Sequence, residues 1–278
     1  MTDRGRGRKT RSIERSITIE ASREAVWNAL TDAEELTRWF PLKARVEPGE
    51  GGSVWMSWEK GEFESETPIT AWKENELLSV AYERPDPATG DPLRVTQEYR
   101  LEGRGGTTTL RLVHSGFSTD SSWDELYDGT VRGWDFELRG LKLYLERHLG
   151  NPRRIVHANR VFDAPVRQAW DLLTGPRGLV AEGSLAGAGE GDRLDVRTAN
   201  GLRLTGTVWI HDPPLQLAAV VENLGAAYLR AKCENCWTQP GRNEANLWLS
   251  TYGLPPSDVA GLSRSLDELL GALFDRTD

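Results

Sequence analysis

Residues 19–31, IEASREAVWNALT, return in altered form at residues 162–174 as FDAPVRQAWDLLT. At a constant offset of 143 positions, Ala21 matches Ala164, Trp27 matches Trp170, Leu30 matches Leu173 and Thr31 matches Thr174. A second pair lies downstream: TTTLRLVHSG (107–116) lines up with EANLWLSTYG (244–253) at offset 137, setting Leu110 on Leu247, Leu112 on Leu249 and Gly116 on Gly253. A chain of 278 residues that repeats itself at this spacing holds two copies of one fold unit. The difference between the two offsets falls in loops, where length changes are tolerated. The expected division is a basic tail over 1–11, a first unit over 12–150 and a second over 151–278. Asn151-Pro152 serves as the linker, because the residue before a proline disfavours helix.

Within the first unit the pattern predicts a strand over 13–20, a helix over 23–30 and a second short helix. Asp32 and Glu35 form a capping pair at the start of that second helix, and Pro41 stops it just beyond Trp39. Hairpins follow. In GGSVWMSW the residues Val54, Met56 and Trp58 share one face. In EFESETPI the glutamates Glu62, Glu64 and Glu66 face water, which turns Phe63, Ser65 and Thr67 inward. Strands near 77–82, 94–101 and 107–114 complete the set, the last two joined through the glycines of EGRGG. Ser122 to Glu125, SWDE, reads as another capping box, and Val131, Trp134, Leu138, Leu141 and Leu145 mark the apolar stripe of a long helix. Pro165 suits the first position of the matching helix in unit two. That unit also closes on a leucine-rich helix, with Leu262, Leu266, Leu269, Leu270, Leu273 and Phe274 on one face.

Each unit therefore reads strand, short helices, about six antiparallel strands, long helix. A sheet with one apolar face must curve over something, and the closing helix is the element long enough to fill the concavity. The expected fold class is α+β: two helix-grip domains, each a curved antiparallel sheet wrapped around a long C-terminal helix.

Charge and composition exclude several functions. Residues 1–11 carry a net charge of +4 and the whole chain −8, so the remaining residues sum to −12. A body that acidic is a poor match for a phosphate backbone, so nucleic acid is not an expected partner. No run of about 18 apolar residues is present to span a membrane, and the basic amino terminus lacks the apolar stretch of a secretory signal. Both point to the cytoplasm. The only two cysteines, Cys233 and Cys236, form CENC; zinc needs four ligands and no second pair exists, so two ordinary thiols are expected, with no metal and no cofactor.

The motifs ITIEASREAVWNALTDAEELTRWF, PGEGGSVWMSW and the SGF…GW pair (Ser115-Gly116-Phe117, Gly133-Trp134) cover residues 13–149 nearly end to end. In that order they resemble the START-like, birch-pollen-allergen-like (SRPBCC) superfamily. Within it they are most similar to the family named after the C-terminal domain of the heat-shock protein 90 ATPase activator. Unit two resembles a diverged copy, since GLVAEGSLAGAGEG stands where unit one has its aromatic pair. The resemblance implies a cavity between long helix and sheet that takes apolar ligands in much of the superfamily, and it does not fix a reaction.

That cavity makes Trp39 and Phe40 candidates for its mouth, beside Trp134, against the plainer alternative that they plug the end of a core. The inward strand faces add Met56, Trp58, Phe63, Tyr82, Gln97, Tyr99 and His114, and the long helix adds Leu138 and Leu141. Apolar walls with a few polar tips are the makeup of a small-molecule site. No nucleophile motif, phosphate-binding glycine loop or paired carboxylates occur. The expected function is a non-catalytic one: binding a hydrophobic small molecule in unit one, with a protein partner as a further prospect. The alternatives are an enzyme of the polyketide aromatase/cyclase kind and a co-chaperone-like activator of a heat-shock protein 90 ATPase.

Overall fold

The computed structural model describes residues 9–58, 63–86, 89–236 and 238–275, the side chain of residue 63 excepted. The chain forms two compact units, one ending at Gly150 and the other starting at Asn151.

The first unit runs β1 (Thr10–Ile19), α1 (Arg23–Thr31), α2 (Ala33–Thr37), β2 (Lys43–Glu47), β3 (Ser53–Trp58), β4 (Phe63–Lys73), β5 (Leu77–Pro85), β6 (Pro92–Arg104), β7 (Thr107–Ser118) and α3 (Asp124–Leu143). Its strands form one seven-stranded antiparallel sheet in the order β1-β7-β6-β5-β4-β3-β2, so the chain meanders from β2 to β7 and β7 returns to pair with β1. The two small helices fill the connection between β1 and β2. Helix α3 presents Trp134, Leu138 and Leu141 as buried residues, the expected stripe. Each unit is a helix-grip fold of the α+β class.

Local differences from the sequence reading have physical causes. Thr10 and Arg11 belong to β1 rather than to a tail: the Arg11 guanidinium donates to the Ser118 carbonyl at 2.9 Å, pairs with Asp124 at 2.6 Å and lies over the Tyr127 ring. Residues 1–8 lie outside the described residues. SWDE does not cap α3. A 3₁₀ turn (Ser121–Trp123) precedes the helix, and the Asp120 carboxylate caps that turn through the Ser122 N–H at 2.9 Å. At its far end the helix widens into a π turn, Tyr144–His148, which the apolar spacing did not signal. Gly116 has φ of +96°, and a Cβ there would sit 2.1 Å from the Arg94 carbonyl oxygen. It is the extra residue of a bulge, since Arg11 pairs with Phe117 and Ser12 with Ser115. The bulge returns Phe117 to the inner face, where it is buried beside His114 with ring centroids 4.6 Å apart.

The second unit runs β8 (Arg153–Phe162), α4 (Val166–Leu173), β9 (Arg193–Arg197), β10 (Arg203–Asp212), β11 (Gln216–Val221), β12 (Ala227–Asn235), β13 (Asn243–Tyr252) and α5 (Pro256–Phe274). Its six-stranded sheet has the order β8-β13-β12-β11-β10-β9. Among the described residues the counterparts of α2 and β2 are replaced by a loop that buries Leu179 and Leu185. Pro165 is the residue before α4 rather than its first residue, whereas Pro256 does open α5. The core is leucine-rich, with Leu262, Leu266, Leu269 and Leu270 of α5 joining Leu229, Leu247 and Leu249 of the sheet. The β8–β13 ladder is slid by two residues relative to β1–β7: Ile19 pairs with Thr108, but its match Phe162 pairs with Asn243 rather than Ala245. An even slip keeps every side chain on its own face.

Candidate ligand cavity

The mouth of the first unit's grip is shaped by one carboxylate. Asp32 ends α1 and caps α2, accepting from the N–H groups of Glu34 and Glu35 at 2.9 Å each. It thereby fixes the angle between the two helices and the direction in which the chain leaves α2. Helix α2 is five residues long, too short to be stable alone. It is held by buried Leu36 and by Trp39, whose indole N–H donates to the Ala29 carbonyl at 2.8 Å.

Phe40 stacks on Trp39 with centroids 5.0 Å apart and planes at 16°. Trp58 meets Phe40 edge-on at 5.2 Å, and Trp134 of α3 lies against it at 5.7 Å. Trp134 in turn packs edge-on against Tyr99 at 6.1 Å and donates its indole N–H to His114 Nδ1 at 2.9 Å. Phe40 and Trp58 are the half-buried members of this group, and Trp39, Tyr99, His114 and Trp134 are buried.

Beneath these rings lies a cavity. Helices α1 and α2 and the residues after them line it with Leu30, Leu36, Trp39 and Phe40. The strands add Val54, Met56, Thr67, Leu78 and Val80, and β6 supplies Gln97 and Tyr99. The Tyr99 hydroxyl donates to Gln97 Oε1 at 3.0 Å. The space open to the centre of a water molecule is about 30 Å³, room for about two waters and far below the roughly 300–1,000 Å³ of a small-molecule pocket. The rings fill most of the concavity.

Of the residues expected from sequence, Trp39, Phe40, Met56, Gln97 and Tyr99 line this cavity. Trp58, Trp134 and His114 stand behind Phe40 and Tyr99 rather than in the lining. Leu138 and Leu141 are buried on α3 outside the lining. Tyr82 shares the inner face through its pairing with Val95, yet it too is outside the lining. The Phe63 side chain, like the whole of Glu62, lies outside the described residues. Leu30 and Leu36 were not singled out as site residues, although Leu30 stood in the repeat and Leu36 on the apolar side of α2.

Burial governs the titratable groups. It lowers the His114 pKa to about 4, and the Trp134 N–H at Nδ1 fits the neutral ring. It raises the phenols of Tyr99 and Tyr82, the latter with Arg84 opposing the rise. At the opposite end of α3 the Tyr144 hydroxyl donates to Glu35 at 2.5 Å and accepts from the Gly150 N–H at 3.1 Å, and Arg38 also donates to Glu35. This network ties α2 to the π turn, and sequence spacing had not signalled it.

In the second unit Cys233 and Cys236 are free and buried. Burial, with Glu234 adding to it, pushes the Cys233 thiol up to about 12, so it is not a thiolate at neutral pH. Among the described residues no group of three or more metal-ligating side chains gathers, and no helix is long and apolar enough to cross a membrane.

The family of activator of Hsp90 ATPase homolog 1-like proteins matches residues 20–146. The match spans most of the first unit and none of the second. No curated protein matches the chain. Among solved structures, the chain is similar to protein MLL2253 from Mesorhizobium loti, with 26% identity over 50% of this chain and 98% of that one, at a TM-score of 0.44. DynU16, from the dynemicin biosynthetic locus, is 19% identical over 94% of this chain and 96% of its own, at a TM-score of 0.40. The di-domain ARO/CYC BexL, from the BE-7585A biosynthetic pathway, is 16% identical over 95% of this chain and 98% of its own, at a TM-score of 0.42.

Proposed function

We propose that the activator-like unit binds a hydrophobic small molecule between its sheet and α3, without catalysis of its own. The observation that carries this reading is the position of Phe40. It is a half-buried ring that lines the cavity and packs against the rings of Trp39, Trp58 and Trp134. Turning Phe40 outward joins the small cavity to solvent and leaves an apolar slot walled by Trp39, Met56 and Tyr99, with Gln97 at its polar point. That composition is the one expected of a ligand site.

The non-catalytic half of the reading is supported by the titratable groups. General acid–base work favours a side chain whose pKa lies near the working pH. Here His114 is lowered to about 4 and Tyr99 is raised, so both stay neutral. The two units are proposed as separate domains, over 12–150 and 151–278, in a cytoplasmic protein. An aromatase/cyclase role and a chaperone-activator role are compatible with the same fold and family match.

The test is a titration of intrinsic tryptophan fluorescence with fatty acids, sterols and planar aromatics. Trp39, Trp58 and Trp134 surround the proposed slot, so a bound ligand is expected to shift or quench emission saturably, and Trp134→Phe is expected to diminish the signal. A flat response across the panel, repeated by calorimetry, would refute the proposal.

A further inference from the structure

The polar groups at this cavity discriminate between ligand chemistries. The residues lining it include no carboxylate, ammonium or guanidinium, so a charged ligand would shed its water without meeting an opposite charge. The hydroxyls of Thr67 and Tyr99 can donate or accept and do not discriminate. Gln97 does. Its Oε1 accepts the Tyr99 hydroxyl at 3.0 Å, which leaves the carboxamide NH₂ as the half of the side chain still open to a ligand.

Gln97 stands opposite His114 in the β6–β7 ladder. Trp134 donates its indole N–H to Nδ1 of that histidine at 2.9 Å, so the neutral ring carries its proton on Nε2. That nitrogen is buried and has no acceptor among the described residues. Burial keeps the ring neutral down to about pH 4, so this tautomer persists under ordinary conditions. Gln97 therefore offers its N–H groups at the cavity, while the His114 ring behind it stands outside the lining.

We propose that the cavity's ligand is an uncharged planar aromatic molecule bearing a carbonyl oxygen, which the Gln97 carboxamide receives as a donor. The proposal rests on the cavity being a ligand site and adds the chemical class. Planarity follows from the walls left once Phe40 turns outward, since Trp39 and Tyr99 are flat rings that flat molecules fit best. A carboxylic acid, an amine or a ligand whose one polar group is a donor would leave these N–H groups unpaired or bury a charge.

Three probes of one shape separate the outcomes: acetylnaphthalene, isopropenylnaphthalene and naphthoate, all substituted at the same ring position. They differ only in carrying a ketone, a hydrocarbon or an anion. Calorimetric titration of the full chain at mildly alkaline pH, and of its Phe40→Ala variant, is expected to show the ketone binding about tenfold tighter than the alkene, the worth of one net hydrogen bond. Naphthoate is expected to bind weakest. Gln97→Glu keeps an acceptor for the Tyr99 hydroxyl but replaces the donor with a carboxylate oxygen. It is expected to erase the ketone's advantage while the alkene still binds. Equal affinity for ketone and alkene, or naphthoate binding tightest, would overturn the ligand class and leave the cavity reading standing. Uptake of none of the three, by either protein, would overturn both.

Discussion

Phe40→Ala tests the gate directly. In the closed form the ring is half-buried. Full burial of a phenylalanine is worth about 1.5–3 kcal/mol, so swinging a half-buried ring into water costs about 1 kcal/mol. Breaking its contacts with Trp39, Trp58 and Trp134 adds about 1 kcal/mol more, taking the low end of the range for ring pairs because the contacts share one ring. A total of roughly 2 kcal/mol leaves the open form at about 3% of the population, and apparent affinity falls by the same factor. Removing the ring lifts that penalty, so Phe40→Ala is expected to tighten binding of an uncharged aromatic about thirtyfold, chiefly through faster association. The same change is expected to lower stability by about 2 kcal/mol, below the range for fully buried Phe→Ala because the site is already partly wet. The assay is stopped-flow tryptophan emission for the rates and urea unfolding for the stability, with Leu149→Ala at an exposed position as control. A variant that loses stability as expected but binds no better than the parent would refute the gate, and Phe40 would then be a plug of the core.

Three further outcomes follow from the geometry. Gly116→Ala is expected to destabilise the first unit by about 2–4 kcal/mol, seen as a lower urea midpoint, because it forces a Cβ toward the Arg94 carbonyl at a φ of +96°; a near-neutral result would contradict the bulge. His114 has its pKa lowered from 6.5 to about 4. The unfolded chain therefore binds more protons in that window, and stability falls as pH drops from above 6.5 toward 4, by about 3 kcal/mol from this group. His114→Gln, which can still accept from Trp134, is expected to flatten that part of the stability–pH curve. Cys233 and Cys236 are both buried, so a thiol reagent is expected to label neither in the native protein and both in urea; rapid native labelling would place one of them at the surface.

Much of the fold is legible in the order of residues because it rests on local periodicities. The alternation of Val54, Met56 and Trp58, the stripe of Trp134, Leu138 and Leu141, and the repeat of Trp27 at Trp170 each reflect a face turned to a core. These place Gln97 and Tyr99 on one face of β6, and both line the cavity. The face of a strand does not say how far along the sheet a cavity extends, which is why Tyr82 and His114 share the inner face yet stand outside the lining. The same limit hid the contribution of Leu30 and Leu36. Both come from helices whose packing angle is set by the Asp32 cap.

The amino-acid sequence by itself determined the two-fold repeat, the helix-grip class and the aromatic character of the first unit's interior, since each depends on spacing along one chain. Tertiary structure alone decided that the concavity is nearly filled, that Phe40 bridges Trp39, Trp58 and Trp134, and that the Tyr99 hydroxyl occupies the Gln97 carbonyl. It also decided that Phe117 returns to the inner face, through a bulge that only Gly116 accommodates. Volumes, ring contacts and hydrogen-bond partners arise between segments far apart in the chain, where a shift of a single residue changes the neighbour, and no local pattern encodes them.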